Sequence, residues 1–390
     1  MITPADRISE VKEYYFSVKL KEIEKMRQAG IDVINLGIGN PDMPPAPEVL
    51  ETLNRQASSP DNHGYQSYVG IPELRNSFAG WYKKYYDVSL NSGNEILPLI
   101  GSKEGIMHIS MAFLNPGDGV LVPNPGYPTY SSVSKLVGAK IINYNLVESK
   151  GWLPDFDELE KQDLSSVKLM WINYPNMPTG ANASEDFFKE VIEFGKKHNI
   201  LICNDNPYSF ILNDKQRSIL QVEGAKETAL ELNSLSKSHN MAGWRVGMVA
   251  SSAEIISYIL RVKSNMDSGM FKPLQLAAAK ALELDSSWYE SVNKQYLERR
   301  KLVWEIMDTL DCSYDKNQTG MFVWAKISDK HKNGKELSDK ILSSSYVFIT
   351  PGFIFGDMGD KYIRISLCTN KKLLTEALNR IKKTDTQINK

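Results

Sequence analysis

The strongest constraint on the fold is an alternation that runs from about residue 96 to residue 250. Short apolar runs at 96–100, 119–122, 140–144, 167–172 and 200–203 are separated by helix-like or turn-forming segments. The run Ile200-Leu201-Ile202-Cys203 is apolar throughout, as in a strand buried on both faces. Strand–helix units of this length imply a largely parallel sheet with helices on both faces. Ligands of such sheets bind beyond the carboxyl ends of the strands. Polar motifs fall at those ends: Gly101-Ser102-Lys103-Glu104-Gly105, Asn124-Pro125-Gly126-Tyr127-Pro128, Asn173-Tyr174-Pro175-Asn176-Met177-Pro178-Thr179-Gly180 and Asn204-Asp205-Asn206-Pro207-Tyr208. The first of these is a strand, a glycine turn and a helix start, which aims free backbone N–H groups at an anion. Ordinary strand-to-helix connections also carry glycine, so that motif alone decides nothing.

The flanks have a different pattern. An amphipathic helix is expected over 18–26, ending near Gly30. An apolar run at 31–36 then opens onto Gly37-Ile38-Gly39-Asn40-Pro41-Asp42, a tight loop where backbone can approach a ligand. Helices are expected at 47–57 and from Pro72, with a polar, tyrosine-rich stretch at 62–70 between them. Past residue 255 come a long amphipathic helix at 288–310 and strand-like segments at 321–325, 347–350 and 362–367. The expected organisation is a large domain at 46–280 and a smaller α+β domain built from 1–45 plus 281–390.

Composition narrows the functional classes. The chain has 390 residues, 42% hydrophobic and 24% charged, which is the profile of a folded globular protein. A formal net charge of -1 gives no electrostatic case for nucleic acid or an anionic membrane. No apolar stretch is long enough to span a bilayer, and residues 1–12 lack the apolar core of a signal peptide. Cys203, Cys312 and Cys368 are scattered and odd in number. They suggest neither a disulfide framework nor a metal site, and fit a reducing cytoplasm.

The stretch carrying the most chemistry is Ser234-Leu235-Ser236-Lys237-Ser238-His239-Asn240-Met241-Ala242-Gly243-Trp244-Arg245-Val246-Gly247. It places a lysine on a polar turn between two strand-like segments. A lysine so framed can form a Schiff base with a carbonyl, and the arginine and serines beside it can hold a phosphate. Together they suggest pyridoxal 5'-phosphate; the competing reading is a surface turn with a solvated lysine. That cofactor also needs a carboxylate at its pyridine nitrogen, phosphate donors, and an arginine for an amino-acid carboxylate. Asp205, the set Ser102/Lys103/Ser234/Arg245, and Arg364 in Tyr362-Ile363-Arg364-Ile365-Ser366-Leu367 can fill these roles. An arginine alternating with isoleucines could point into a cleft or lie on an exposed edge strand.

With these motifs in order along nearly the whole chain, the sequence resembles the fold-type I pyridoxal-phosphate-dependent aminotransferases of class I/II. It looks most like the branch holding the LL-diaminopimelate, alanine and aspartate enzymes. The resemblance implies a three-layer α/β fold with a mostly parallel central sheet and a smaller α+β domain. It implies that Lys237 carries the cofactor as a Schiff base and moves protons. Arg245, Ser234, Ser102 and Lys103 would bind the phosphate, Asp205 the pyridine nitrogen, and Tyr208 the phenolic oxygen. Tyr127 would stack on the ring. Tyr65 would reach the phosphate of a neighbouring subunit in a homodimer. Arg364 and the backbone of Gly39 would hold the carboxylate of amino-acid and 2-oxo-acid substrates, 2-oxoglutarate among them.

One position departs from the family pattern. An asparagine usually precedes Pro-Thr-Gly and contacts the phenolic oxygen; here that residue is Met177, and Asn176 lies one place earlier. Methionine cannot supply those hydrogen bonds, so either Asn176 is displaced into the role or the contact is missing. A C–S β-lyase of the same fold remains an alternative reaction, and a pyridoxal-phosphate-binding regulator a more distant one. His239 is read as a packing residue. His63 and His108 have no metal-ligand spacing, and Met107 and Met111 are read as core. No metal site is expected, and the amino donor stays open.

Overall fold

The computed structural model describes residues 2–9, 11, 13 and 15–388, with the side chains of 385–388 excepted. Among the described residues twelve strands form, in chain order: β1 (Ile34–Asn35), β2 (Ile96–Leu99), β3 (Gly119–Asn124), β4 (Lys140–Asn145), β5 (Val167–Ile172), β6 (Leu201–Asp205), β7 (Ala229–Ser234), β8 (Gly247–Ala250), β9 (Phe322–Lys326), β10 (Val347–Phe348), β11 (Thr350–Pro351) and β12 (Tyr362–Ser366). Seven of them make the central sheet, in the order β2-β8-β7-β6-β5-β3-β4. Pairing is parallel from β7 through β6, β5 and β3 to β4. Only β8 runs against its neighbours β2 and β7. This is the three-layer, mostly parallel architecture expected from the alternation.

Apolar runs in these strands feed two cores, because successive side chains face opposite sides of a strand. Leu97, Leu99, Val120, Val122, Leu169, Trp171 and Cys203 pack under the helices Ser102–Phe113, Pro128–Leu136 and Ala253–Lys263. Ile96, Leu121, Met170, Ile172 and Ile202 pack under Pro72–Tyr86, Glu185–His198 and Lys272–Leu282. Ser184 caps one of these helices, its Oγ accepting from the Phe187 N–H at 3.0 Å, with Glu185 and Asp186 in the positive first turn.

A third core belongs to the antiparallel sheet β11-β12-β9 and the long helix Ser286–Thr309. The strand-like run expected at 347–350 is two short strands: β10 pairs with β1, while β11 pairs with β12. Arg364 lies in register with Thr350 on one side and Trp324 on the other, so its strand is the middle one of three. The exposed-edge reading of Arg364 is therefore excluded, and the side chain is 4% exposed.

The reversal of β8 positions the site. Its first residue, Gly247, pairs with Leu99 and Ser234, the last residues of β2 and β7. The start of β8 thus lies at the edge where its neighbours end, and Arg245 just before it lies there too. A Cβ on Gly247 would sit 2.7 Å from the Asn233 carbonyl oxygen and 2.9 Å from the Ser102 nitrogen, both backbone atoms that cannot swing aside. Gly247→Ala is expected to destabilise the protein by roughly 1–3 kcal/mol and to weaken phosphate binding at the adjoining helix start. Thermal denaturation and equilibrium dialysis of pyridoxal phosphate would measure the two effects.

Candidate active site

Between the carboxyl edge of the central sheet and the three-stranded sheet lies a cavity of about 560 Å³. Its lining includes Gly39, Ser102, Lys103, Tyr127, Asp205, Tyr208, Ser234, Lys237, Arg245 and Arg364. These ten sequence-derived candidates, dispersed over more than 300 positions, meet in one place.

Lys237 is not on an open turn. Ser234 ends β7 and its Oγ accepts from the Ser236 N–H at 3.1 Å, starting the short helix Leu235–Ser238 that carries the lysine. The Lys237 ammonium donates to the Gly39 carbonyl at 2.6 Å. Burial lowers its pKa from the ordinary lysine value, and the positive charges of Arg364 and Arg245 act the same way, while Cys368 and Asp205 oppose. Lowering that pKa enlarges the neutral fraction, the form that attacks a carbonyl. Gly39 has no room for a side chain, since a Cβ would lie 2.4 Å from the Phe322 ring.

Asp205 ends β6. One oxygen, Oδ2, accepts from the Tyr130 hydroxyl at 2.9 Å; the other, Oδ1, is buried with no hydrogen-bond partner among the described residues. Burial raises its pKa to about 6, despite the Tyr130 hydrogen bond and the Lys237 charge. A buried carboxylate oxygen without a donor is costly unless a partner arrives. A protonated pyridine nitrogen is such a partner. Tyr208 lines the same wall, and burial keeps its phenol protonated and able to donate.

The phosphate end is equally built. Gly101 has φ +80, and a Cβ there would meet Arg245 Nη2 at 2.2 Å. No side chain caps the helix Ser102–Phe113, so its first N–H groups are left for an anion. Arg245, itself left-handed at φ 58, anchors Nη1 on the Ala242 carbonyl at 3.0 Å and reaches Ser236 Oγ at 3.4 Å. These donors and the orphaned Asp205 oxygen at the opposite role fit pyridoxal phosphate.

Arg364 projects from β12 under aromatic rings. Its guanidinium carbon lies 3.9 Å from the Phe322 centroid and 4.6 Å from that of Phe355. Nη2 donates to the Gly37 carbonyl at 2.8 Å, and Nη1 lies 3.2 Å from the Met177 sulfur. Phe16, on the helix Tyr15–Gln28, also faces it at 5.9 Å.

Two candidates lie elsewhere. Asn176 does not line the cavity; its Oδ1 accepts from Thr179 Oγ1 at 2.7 Å and its Nδ2 donates to the Asn173 carbonyl at 3.2 Å. The turn consumes its polar atoms, so it is not displaced into the place of the missing asparagine, and Met177 faces the cavity instead. Tyr65 is 93% exposed and does not line this chain's cavity. Among the lining residues that escaped the sequence reading are Tyr130, Asn173 and Ser236. Asn173 accepts from the Met177 N–H at 2.8 Å and donates to the Asp205 carbonyl, tying two strand ends together. Tyr130 lies on a helix, where the sequence carries no mark of a site. Asn173 and Ser236 stand inside the quoted motifs, and their position in those motifs was the available signal.

His239 is buried and neutral: burial pulls its pKa down to about 3, with Ser238 Oγ 2.8 Å from Nδ1 and the Tyr289 hydroxyl 3.0 Å from Nε2. His108, given no metal spacing in sequence, does meet Glu104 and Asp267 in space, with ligand atoms within 4.8 Å of one another. Lys263 already pairs with Asp267 at 2.9 Å, so a metal ion there would share its carboxylate with an ammonium.

Fold and donor set together define a fold-type I enzyme that uses pyridoxal phosphate. Residues 31–381 match the description of the aminotransferase class I and II family. An LL-diaminopimelate aminotransferase of Aquifex aeolicus (strain VF5) is 39% identical over 381 residues, covering 97% of this chain and 98% of that protein. The apo-BacF structure from Bacillus subtilis aligns with a TM-score of 0.94 at 36% identity, covering 98% of each chain. An aromatic aminotransferase from Pyrococcus horikoshii OT3 aligns at 0.86 and 29% identity, covering 94% of this chain and 99% of that one. The chain belongs to the class I and II aminotransferases, and it is a pyridoxal-phosphate-dependent transaminase.

The raised Asp205 pKa has a definite sign. A carboxyl whose pKa rises from 3.8 to about 6 on folding favours the fold at low pH, and that contribution is lost as pH rises through 6. In the cofactor-free protein, Asp205→Asn should therefore be the more stable form above pH 6, by on the order of 3 kcal/mol, and lose that advantage near pH 4. Added pyridoxal phosphate should stabilise wild type more than the variant. Melting temperatures across pH, with and without cofactor, would check both. Met177→Asn should keep or raise transamination, because the thioether gives the ring no donor; steady-state kinetics on folded variant would show a large loss if the sulfur is needed.

Proposed function

We propose that the protein transfers the amino group of an L-amino acid to a 2-oxo acid such as 2-oxoglutarate, at two sites in a homodimer. The observation carrying this reading is the convergence of Lys237, Asp205 and Arg364 on one cavity. When bound, pyridoxal phosphate supplies an aldehyde for the amine and a ring that takes up the electron pair released at the donor Cα.

The chain's own residues then divide the work. Arg364 holds the donor carboxylate through its guanidinium, with Nη2 oriented by the Gly37 carbonyl. With the cofactor bound, Lys237 Nζ would remove the α-proton and deliver it two bonds away, to the carbon on the other side of the transferred nitrogen; its buried setting keeps the amine able to do both. Asp205 Oδ1 holds the positive charge at the ring nitrogen. Tyr208 would donate to the phenolic oxygen, and Tyr127 would cover the ring face. Arg245, Ser234, Ser102 and Lys103 fix the phosphate.

Dimer formation is supported by an exposed apolar surface around Tyr65. Tyr65 is 93%, Tyr68 46%, Met266 59% and Phe271 45% exposed. The two loops that carry them touch, with the His63 and Phe271 rings 5.7 Å apart. Such a patch suits burial against a second copy, and it would let Tyr65 serve the neighbour's phosphate. Three buried free cysteines fit a reducing compartment, and we place the enzyme in the cytoplasm. The relatives carry names for different donors, so resemblance alone does not choose among LL-diaminopimelate, alanine and aspartate.

Lys237→Ala is expected to fold and bind pyridoxal phosphate without covalent attachment, leaving nothing for borohydride to fix, and to lose transamination. Mass spectrometry after reduction reads the attachment; a variant that still fixes the cofactor would overturn the assignment. Amino-acid screens against 2-oxoglutarate test the reaction. Pyruvate release from cystathionine without an acceptor would favour the lyase.

A further inference from the structure

A second carboxylate lies wholly inside the central sheet. Glu231 has no exposed surface and stands on β7 between Leu230 and Leu232, in register with Asn204 of β6. Its Oε1 accepts from the Tyr82 hydroxyl at 2.8 Å. Its Oε2 accepts from Asn204 Nδ2 at 2.9 Å and from the Ile219 N–H at 3.0 Å. Burial raises its pKa, and the donors of Tyr82, Ser218, Asn204 and Ile219 oppose that rise by favouring the anion. Taking a carboxylate out of water is costly even when it is hydrogen-bonded, and well-packed apolar residues often serve a core as well. Stability of the sheet therefore gives little reason for a charge at this position.

Its partners lead to the cofactor. Asn204 immediately precedes Asp205, and its Oδ1 accepts from the Tyr174 N–H at 3.3 Å, so the end of β6 is held from both neighbouring strands. The Tyr82 hydroxyl also accepts from Asn233 Nδ2 at 3.4 Å, and Asn233 Oδ1 accepts from the Ser234 N–H at 2.8 Å. One buried network thus fixes the residues just before Asp205 and Ser234. Charge connects the two carboxylates as well: burial is the main cause that raises the Asp205 pKa, and Glu231 adds to it. Two anions so placed repel each other, and a cation arriving at Asp205 Oδ1 relieves both.

We propose that Glu231 is a positioning residue for the cofactor: through Asn204 and through its own charge it holds Asp205 ready for a protonated ring nitrogen. The inference rests on the placing of that nitrogen at Asp205 Oδ1.

Equilibrium dialysis of the cofactor-free, full-length protein tests this with two ligands, pyridoxal phosphate and the analogue in which a C–H replaces the ring nitrogen. Phosphate, aldehyde and phenolic oxygen are common to both, so the ratio of their affinities isolates the nitrogen contact. Wild type should favour pyridoxal phosphate. Glu231→Gln keeps the shape and removes the charge, and should lower that ratio about 10-fold, the size expected of one buried charge acting across roughly 10 Å. An unchanged ratio, even with both affinities reduced, would mean a structural role only and would overturn the proposal. In Asp205→Asn the ratio should be near unity, and adding Glu231→Gln should not move it. A further fall there would mean that Glu231 acts by another route than Asp205, which overturns the positioning role. If Glu231→Gln does not fold, Asn204→Ser cuts the same chain beside Asp205 and should lower the ratio about 3-fold, as for one lost hydrogen bond; an unchanged ratio in that variant would overturn the proposal. A wild type without preference would sink the Asp205 assignment and the proposal with it, whereas a preference that survives Glu231→Gln would sink the proposal alone.

Discussion

The site is organised around a buried carboxylate with one satisfied oxygen. Asp205 sits at the end of a central strand, where burial from all sides pushes its pKa to about 6. Tyr130 supplies one hydrogen bond, and the second oxygen has none among the described residues. An isolated fold gains nothing by keeping such a group. It becomes favourable only when a cation arrives at that oxygen, which is what the ring nitrogen of the cofactor offers. Lys237 and Asp205 influence each other in the same low-dielectric space. The lysine charge favours the carboxylate, and the carboxylate limits how far burial depresses the lysine.

The sheet sets these groups at the right separation. Parallel strands bring the ends of β2, β5, β6 and β7 to one edge, and the reversed β8 brings its beginning there. That reversal is why Arg245 and Ser102 line one cavity although they are far apart in the chain. The close contact at Gly247 and the left-handed turn at Arg245 make that end of it tight. Opposite this edge the small antiparallel sheet contributes Arg364 from its middle strand. The cavity exists because two sheets with separate cores face each other across the glycine loop at 37–39.

Much of this was legible in the sequence because strand-end chemistry leaves local marks. Ser234, Lys237 and Arg245 fall within one short motif; Asp205 and Tyr208 close another; Gly101 to Lys103 open a helix. Each such mark is a short-range pattern of polar residues after an apolar run. The fates of Asn176 and Met177 were not legible that way. Neighbours in sequence, they diverge because Asn176 satisfies its amide inside the turn with Thr179 and Asn173, leaving Met177 to face Arg364. Tyr130 was hidden for a similar reason. On a helix it carries no such mark, and only packing beside Trp171 at 5.0 Å directs its hydroxyl to Asp205.

By itself, then, the sequence pointed to the layered sheet through the period of its apolar runs, and to the cofactor and its candidate residues through short motifs and the family resemblance that they carry, because these are local properties of the chain. It also left Arg364 suspended between a cleft and an exposed edge. Tertiary structure decided that question by placing β12 between β11 and β9. It further decided that Met177, Phe322 and Phe355 meet around Arg364, the methionine coming from a segment more than 140 positions before the two rings. The character of a pocket wall is a property of which surfaces meet across the fold, and hydrophobic patterning along one strand or helix carries no record of its opposite face.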